Sequence, residues 1–162
     1  MRKKNQEEFV FSMVKPDGVR RRLIGKIFQR VEKTNLKLVA VRFLRPSAKL
    51  AATHYRMKRN GSSGLTTNQA VAYLTSGRIL ASIWCGKDAV KILRSIVGLK
   101  TDPYSCRKGT IRRDFAQDSI TEADIEHRAV QNVVHSSNNP QSAISEISLW
   151  FGKNWRRQYG AR

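Results

Sequence analysis

The feature that most constrains this chain is a repeated switch of hydrophobic period. Four runs are rich in aromatic and β-branched residues: "EFVFSMVK" (8–15), "LKLVAVRFL" (36–44), "RILASIWCG" (78–86) and "NVVHS" (132–136). That composition suits strands. Between and after them, apolar residues return every three or four positions. Leu23, Ile27 and Val31 make one such stripe, and Val90, Leu93 and Val97 another, which is the spacing of a helix face. Shorter helical patterns follow Ser47 and Thr67, each a plausible cap, and Gly77 closes the second. The final pattern, "PQSAISEISLWF", has Asn139 to cap it and Pro140 at its first position. Residues 99–118 hold no sustained period and contain Pro103 and Gly109, so they read as a long loop. "SITE" (119–122) fits a capping box that opens a short helix through Gln131.

The order is therefore β, α, β, two short helices, β, α, loop, β, α. It is the split βαβ pattern: an α+β fold in which helices cover an antiparallel four-stranded sheet. Two details of this reading are specific. In "KPDG" (15–18), Pro16 holds Lys15 extended and Asp17-Gly18 supplies turn chemistry. The run 36–44 is apolar enough at both alternations to be buried on both faces. With 162 residues and no linker or repeat, the whole of 1–162 reads as one domain, with an N-terminal extension over 1–7 and a C-terminal one over 152–162.

Composition narrows the class. Hydrophobic residues make up 40%, which excludes wholesale disorder. No apolar run approaches the roughly 18 residues of a membrane helix, and the stretch "MRKKNQEEFVFSMV" does not read as a secretory signal. Cys85 and Cys106 are too few for a disulfide framework and fit reduced thiols in a cytoplasmic protein. The balance of 31 Lys+Arg against 12 Asp+Glu gives a formal charge of +19, which attracts polyanions without choosing among them. The basic residues are scattered, in "VRRR" (19–22), "YRMKR" (55–59), "IRR" (111–113) and "NWRRQ" (154–158), so they describe a basic surface rather than a nucleic-acid arm.

One of only three histidines, His135, stands at the end of the last strand. Such a residue is ordinarily structural. As a nucleophile it would need an acceptor to fix its tautomer. Glu146 lies eleven residues on, in a helix that returns over the strand. Ser137, on the same strand face, could offer a hydroxyl to an entering or leaving oxygen, and Lys15, Arg94 and Arg112 could meet phosphates.

"MVKPDGVRRRLIGKI", "HYRMK", "LTSG", "GTIRRDF" and "NVVHSSNNPQSAISEISLWF" together resemble the nucleoside diphosphate kinase family, in family order and over nearly the whole chain. The resemblance implies a ferredoxin-like fold. It also implies ping-pong transfer of the γ-phosphoryl of a nucleoside triphosphate to a nucleoside diphosphate through a phosphohistidine, with Mg²⁺ carried on the nucleotide phosphates rather than on protein ligands. By this likeness His135 is the phosphorylated residue, Glu146 orients it and Ser137 stands near it. Lys15 meets the transferred phosphate and Tyr55 lies beside the histidine. Arg94, Thr101 and Arg112 hold the nucleotide phosphates, and Asn132 meets the sugar. Homo-oligomers built from dimers are implied too.

The chain departs from the family pattern in several places. Ser136 replaces the Gly after the histidine, Asn138 replaces an Asp, Arg113 a Gly and Lys108 a Pro. The stretch between Phe115 and Asn132 is longer. "RNGSSGLTTNQ" stands where the family has Arg-Pro-Phe-Phe, whose phenylalanine stacks on the base, so Leu65 or a residue of 117–131 is the expected substitute. Two other readings remain open on sequence: a basic nucleic-acid-binding protein in which Trp84, Trp150, Trp155 and Tyr104 stack bases, and a non-catalytic interaction protein on the same fold.

Overall fold

The computed structural model describes residues 7–57 and 67–160. Four strands form its sheet: β1 (Glu8–Val14), β2 (Lys37–Leu44), β3 (Ile79–Gly86) and β4 (Val134–Ser136), in the order β2-β3-β1-β4 with every pair antiparallel. This is the expected split βαβ sheet. Leu65 and the expected loop 59–64 lie outside the described residues.

Both faces of the sheet are covered, which explains why β1 reads as a continuous apolar run and not an alternation. Val10 and Val14 point to one face. There they meet α2 (Ile24–Glu32) through Ile27 and Val31 and α5 (Ala89–Val97) through Val90, Leu93 and Val97. Phe9, Phe11 and Met13 point to the other face. That face carries α3 (Ala48–Met57), α4 (Thr67–Thr75), α8 (Pro140–Phe151) and α9 (Trp155–Tyr159). Each of these large apolar side chains contributes about 1.5–3 kcal/mol on burial. Three short helices complete the described set: α1 (Pro16–Arg20), α6 (Ile111–Phe115) and α7 (Ile120–Ile125).

Several caps act as expected. Ser47 Oγ accepts from Leu50 N–H at 3.2 Å, and Asn139 Oδ1 accepts from Ser142 N–H at 2.8 Å with Pro140 at the first helical position. α4 begins at Thr67 itself, one position earlier than a cap there would place its first residue.

Other local readings need correction. β2 is not buried on both faces: it is an edge strand, and Leu38, Val41 and Phe43 are 42%, 49% and 51% exposed. The stretch 99–118 is not all loop, because α6 forms inside it. Ser119 does cap α7, accepting from Glu122 N–H, but the helix ends at Ile125 and not near Gln131. His127 takes a left-handed φ of 52°, and Arg128 N–H closes on Ala123 C=O, a Schellman-type stop. Within the stretch 152–162, α9 buries Trp155 edge-on against Phe9 at 5.0 Å. "PDG" is not a simple turn but the first turn of α1, which follows an extended Lys15 (φ −80°, ψ 168°).

Candidate active site

The site begins where β1 ends, and the four residues of "KPDG" each have a separate task there. Lys15 closes the strand ladder by donating its backbone N–H to Val133 C=O at 2.8 Å. Pro16 starts α1. Asp17, buried, accepts through Oδ1 from the Tyr73 hydroxyl and through Oδ2 from Val133 N–H at 3.1 Å. Gly18 leaves room: a Cβ there would lie 2.9 Å from Val133 C=O and from a Val14 methyl. This packing holds Val133 at φ 57°, a costly conformation for a β-branched residue. Val134 N–H closes back on Asn132 C=O at 2.7 Å, so the chain turns sharply and enters β4 in register, with His135 opposite Met13.

That register puts His135 on the face shared by Phe11, Met13 and α8. Its Nε2 and Glu146 Oε2 are 3.0 Å apart, and the Ser137 hydroxyl donates to the same oxygen at 2.7 Å. His135, Ser137 and Glu146 are all buried. Because the acceptor is a carboxylate, Nε2 carries the proton and the ring lone pair resides on Nδ1. Ser137 therefore does not aim its hydroxyl at an incoming oxygen, as its strand position suggested; it steadies Glu146. The other carboxylate oxygen, Oε1, is buried with no hydrogen-bond partner.

A second chain of contacts runs alongside. Lys15 Nζ donates to Asn132 Oδ1 at 2.7 Å, and Asn132 Nδ2 donates to the Thr101 carbonyl at 2.9 Å. The contact thus uses Thr101 through its backbone. The Lys15 ammonium also sits 5.3 Å from the centre of the Tyr73 ring. Burial, then the Asp17 charge and its hydrogen bond, pushes the Tyr73 hydroxyl well above its ordinary range, so it stays a donor. Tyr55 is half-buried beside His54, with ring centres 5.3 Å apart, and burial raises its hydroxyl too.

The two arginines behave differently. Arg94 donates to Asn138 Oδ1, just before α8. Arg112 is buried: Nε and Nη2 donate to Val134 C=O at 3.2 and 3.1 Å, and Nη1 donates to the carbonyls of Lys100 at 2.7 Å and Gly98 at 3.3 Å. Of its five N–H groups, one on Nη2 remains for an anion. Burial, with the nearby Arg94 charge, pushes the Arg112 guanidinium down to about 10. A hollow of about 360 Å³ next to these groups includes Arg94, Asn138 and Lys91 in its lining but none of the His135 network.

The structure thus brings His135, Glu146 and Ser137 together, joins Lys15, Asn132 and Thr101, and sets Arg94 and Arg112 along the outer side of β4. The sequence reading missed Tyr73 and His54. The latter is buried against His135 with ring centres 5.0 Å apart, and the signal available was a second scarce histidine three positions after buried Ala51 on the same helix face. His54, His135 and Glu146 offer donor atoms within 4.8 Å of one another. His135 Nε2 is engaged with Glu146 and His54 Nδ1 with Trp150, so each ring already has one nitrogen in a hydrogen bond to another side chain.

The nucleic-acid reading loses three of its four stacking candidates: Trp84, Trp150 and Trp155 are buried, while Tyr104 stays 54% exposed with Arg113 over its ring at 4.9 Å.

Comparison with known proteins gives the family. The family model for nucleoside diphosphate kinase matches residues 8–155. A nucleoside diphosphate kinase of Symbiobacterium thermophilum is 41% identical over 143 residues, 88% of this chain and 86% of its own. One from Archaeoglobus fulgidus is 40% identical and spans 93% of both chains. Among solved structures, a transition-state mimic of the Borrelia burgdorferi nucleoside-diphosphate kinase with bound vanadate and ADP superposes with a TM-score of 0.85 at 31% identity, covering 91% of this chain and 89% of that one. An NDP kinase from Pyrobaculum aerophilum gives 0.79 at 30% identity, covering 92% and 98%. The motif order, the sheet and these matches over nearly the full length all lead to one assignment: the chain belongs to the nucleoside diphosphate kinase family.

Proposed function

We propose that this phosphotransferase works through a phosphorylated imidazole at His135. The observation that carries the reading is the buried Glu146 carboxylate, which holds His135 Nε2 at 3.0 Å while Ser137 donates to the same oxygen. An imidazole held this way attacks with Nδ1. A bond forms from Nδ1 to the γ-phosphorus of a nucleoside triphosphate, the bond to the β–γ bridging oxygen breaks, and the diphosphate leaves with that electron pair. The ring keeps its Nε2 proton, so its positive charge in the adduct is met by Glu146. In the second half a nucleoside diphosphate oxygen attacks the same phosphorus, and Nδ1 leaves with its electron pair restored. Phosphoryl transfer asks mainly for positioning and charge neutralisation. Lys15 and the outer N–H of Arg112 supply donors for the moving group, Arg94 and Thr101 hold the remaining phosphates, Asn132 meets the sugar and Tyr55 lines the approach.

Mg²⁺ enters as part of the nucleotide substrate, spreading the phosphate charge. It prefers oxygen ligands, and the carboxylate at this site is already taken by His135 and Ser137. With the stacking phenylalanine absent from the sequence, the base is gripped by Leu65 or by the 117–131 segment, where Ile120 and Ile125 are exposed.

The same reading places the enzyme in the cytoplasm as a homo-oligomer built from dimers, for which the exposed apolar side chains of β2 offer a surface. No described helix is long and apolar enough to cross a membrane. The +19 charge adds nonspecific adherence to nucleic acid at low ionic strength, fading as the Debye length falls from about 30 Å at 0.01 M salt to about 10 Å at 0.1 M.

The test is chemical. Nucleoside triphosphate with Mg²⁺ should place one acid-labile, base-stable phosphoryl group on the protein, and a nucleoside diphosphate should remove it. His135→Ala should abolish both halves, while Glu146→Gln slows them yet still yields adduct. A His135→Ala protein exchanging at the parent rate, or an adduct mapped to Ser136 or Ser137, overturns the proposal.

A further inference from the structure

His54 is absent from the mechanism above, yet it packs directly against His135. It lies on α3, buried, and its ring meets His135 almost perpendicularly, at 85° with centres 5.0 Å apart. Trp150, on α8 one turn beyond Glu146, donates its indole N–H to His54 Nδ1 at 3.2 Å. An Nδ1 that accepts this bond has no room for a proton, so the ring is neutral and its hydrogen sits on Nε2. Adding a proton would leave the buried indole N–H facing another N–H, an unmet donor in a low-dielectric interior.

That neutrality has a consequence, because a ring nitrogen of His54 and a carboxylate oxygen of Glu146 lie within 4.8 Å. A positive charge on His54 at that distance would compete with His135 for the carboxylate. The groups packed about His54 are Glu146 on α8, His135 on β4 and Tyr55 on its own helix, with Phe11 and Trp150 contributing apolar ring surface. Resting on the reading of His135 as the phosphorylated residue, we propose that His54 is a positioning residue: Trp150 locks it neutral, its ring braces His135, and no second cation competes with His135 for the Glu146 carboxylate.

The lock can be opened at either end. Trp150→Phe keeps the packing ring but removes the donor, so His54 becomes able to take a proton as pH falls. It then draws Glu146 away, and the acid limb of kcat/KM should move up by roughly one pH unit. His54→Asn keeps an acceptor near the Nδ1 position and cannot titrate. It should leave the limb where the parent has it while lowering kcat about tenfold through lost bracing. In the double variant the limb should return to its parent position.

An unmoved limb in Trp150→Phe, or a shift that persists in the double variant, overturns the proposal. So does a parent kcat in His54→Asn, which decides the matter alone if Trp150→Phe does not fold. Mapping the adduct in the parent protein separates the two readings. A phosphoryl group on a residue other than His135 removes the premise, whereas one on His135 with an immobile acid limb removes only the role of His54.

Discussion

β2 and β4 are the two edges of one sheet, and they are finished in opposite ways. β4 is three residues long, and all three are buried. Its outward carbonyl at Val134 takes two N–H groups of Arg112, and the same guanidinium ties in Gly98 and Lys100. β2 is eight residues long and lies open. It carries a bulge between Leu38 and Ala40 and two basic residues, Lys37 and Arg42, devices that discourage indiscriminate pairing. Yet Leu38, Val41 and Phe43 are left facing solvent. An edge that hosts chemistry must exclude competing hydrogen-bond partners and fix its side chains. An edge with apolar residues between a few charges is the surface on which the proposed assembly can be tested.

The comparison breaks first at Arg112. In Arg112→Ala the carbonyls of Val134 and Gly98 lose these donors together, while Lys100 C=O keeps the Cys106 thiol. A buried acceptor left unmet costs about 1–3 kcal/mol, so the loss should reach about 3 kcal/mol or more. The denaturant midpoint should fall accordingly, and phosphoryl transfer with it. Arg112→Lys should recover little, because an ammonium cannot span the same fork. Stability within about 1 kcal/mol of the parent would mean that the β4 edge is held by something other than this guanidinium.

How far each edge was legible in the sequence follows the same division. The core of the fold could be read because its signals are local. The stripes Leu23–Ile27–Val31 and Val90–Leu93–Val97 point inward as their spacing requires, and Asn139-Pro140 starts α8. The pairing of His135 with Glu146 was expected from a strand-turn-helix return, which the register of β4 against β1 provides. The sequence misled where the answer depends on neighbours it cannot show. β2 has a composition fit for burial, and only the strand order makes it an edge. The carbonyls awaiting Arg112 are scattered over 98–134, so a residue expected to meet phosphate is largely occupied by backbone. Ser137 looked outward until the fold placed Glu146 above it. Val133 gave no warning of its left-handed backbone, since the cause is Asp17 and Gly18, more than a hundred residues away.

A smaller effect is expected where the chain approaches β4. Asp118 accepts from Gln131 N–H at 2.7 Å, from Ser119 N–H at 2.9 Å and from the Arg128 guanidinium, so it gathers the segment that delivers Asn132 and His135. Burial alone would raise this carboxyl, but the Arg128 bonds and the two backbone donors outweigh it and hold the group below the usual range. A carboxyl depressed in the folded state stabilises it fully above the unfolded pKa, near 3.9, and the benefit is lost as pH falls through the lower folded value. Amide exchange across 119–131 should therefore quicken below about pH 4 before the sheet amides respond. At neutral pH Asp118→Asn should cost about 1 kcal/mol locally, on the scale of a partly exposed ion pair. Exchange that quickens in the sheet first, or equally everywhere, would show that β4 does not depend on this tether.

The least expected change in the protomer comes from the opposite edge, and it is the sharpest test of what that edge is for. Val41 and Phe43 are about half exposed, and Phe43 has Arg78 over its ring at 5.6 Å. Replacing both with Lys removes little buried area, so the unfolding free energy measured at low protein concentration should shift by no more than about 0.5 kcal/mol per site. Association should respond far more. Two copies of β2 brought edge to edge would set the new lysines against one another, and like charges across paired strands are unfavourable. Light scattering at micromolar concentration should then show the assembly of the parent chain reduced to single protomers, with the sheet intact by circular dichroism. If the double variant assembles as the parent does, the apolar edge of β2 is not the joining surface. If it instead unfolds, β2 is held to its own sheet by these two side chains, and the contrast with β4 is one of degree.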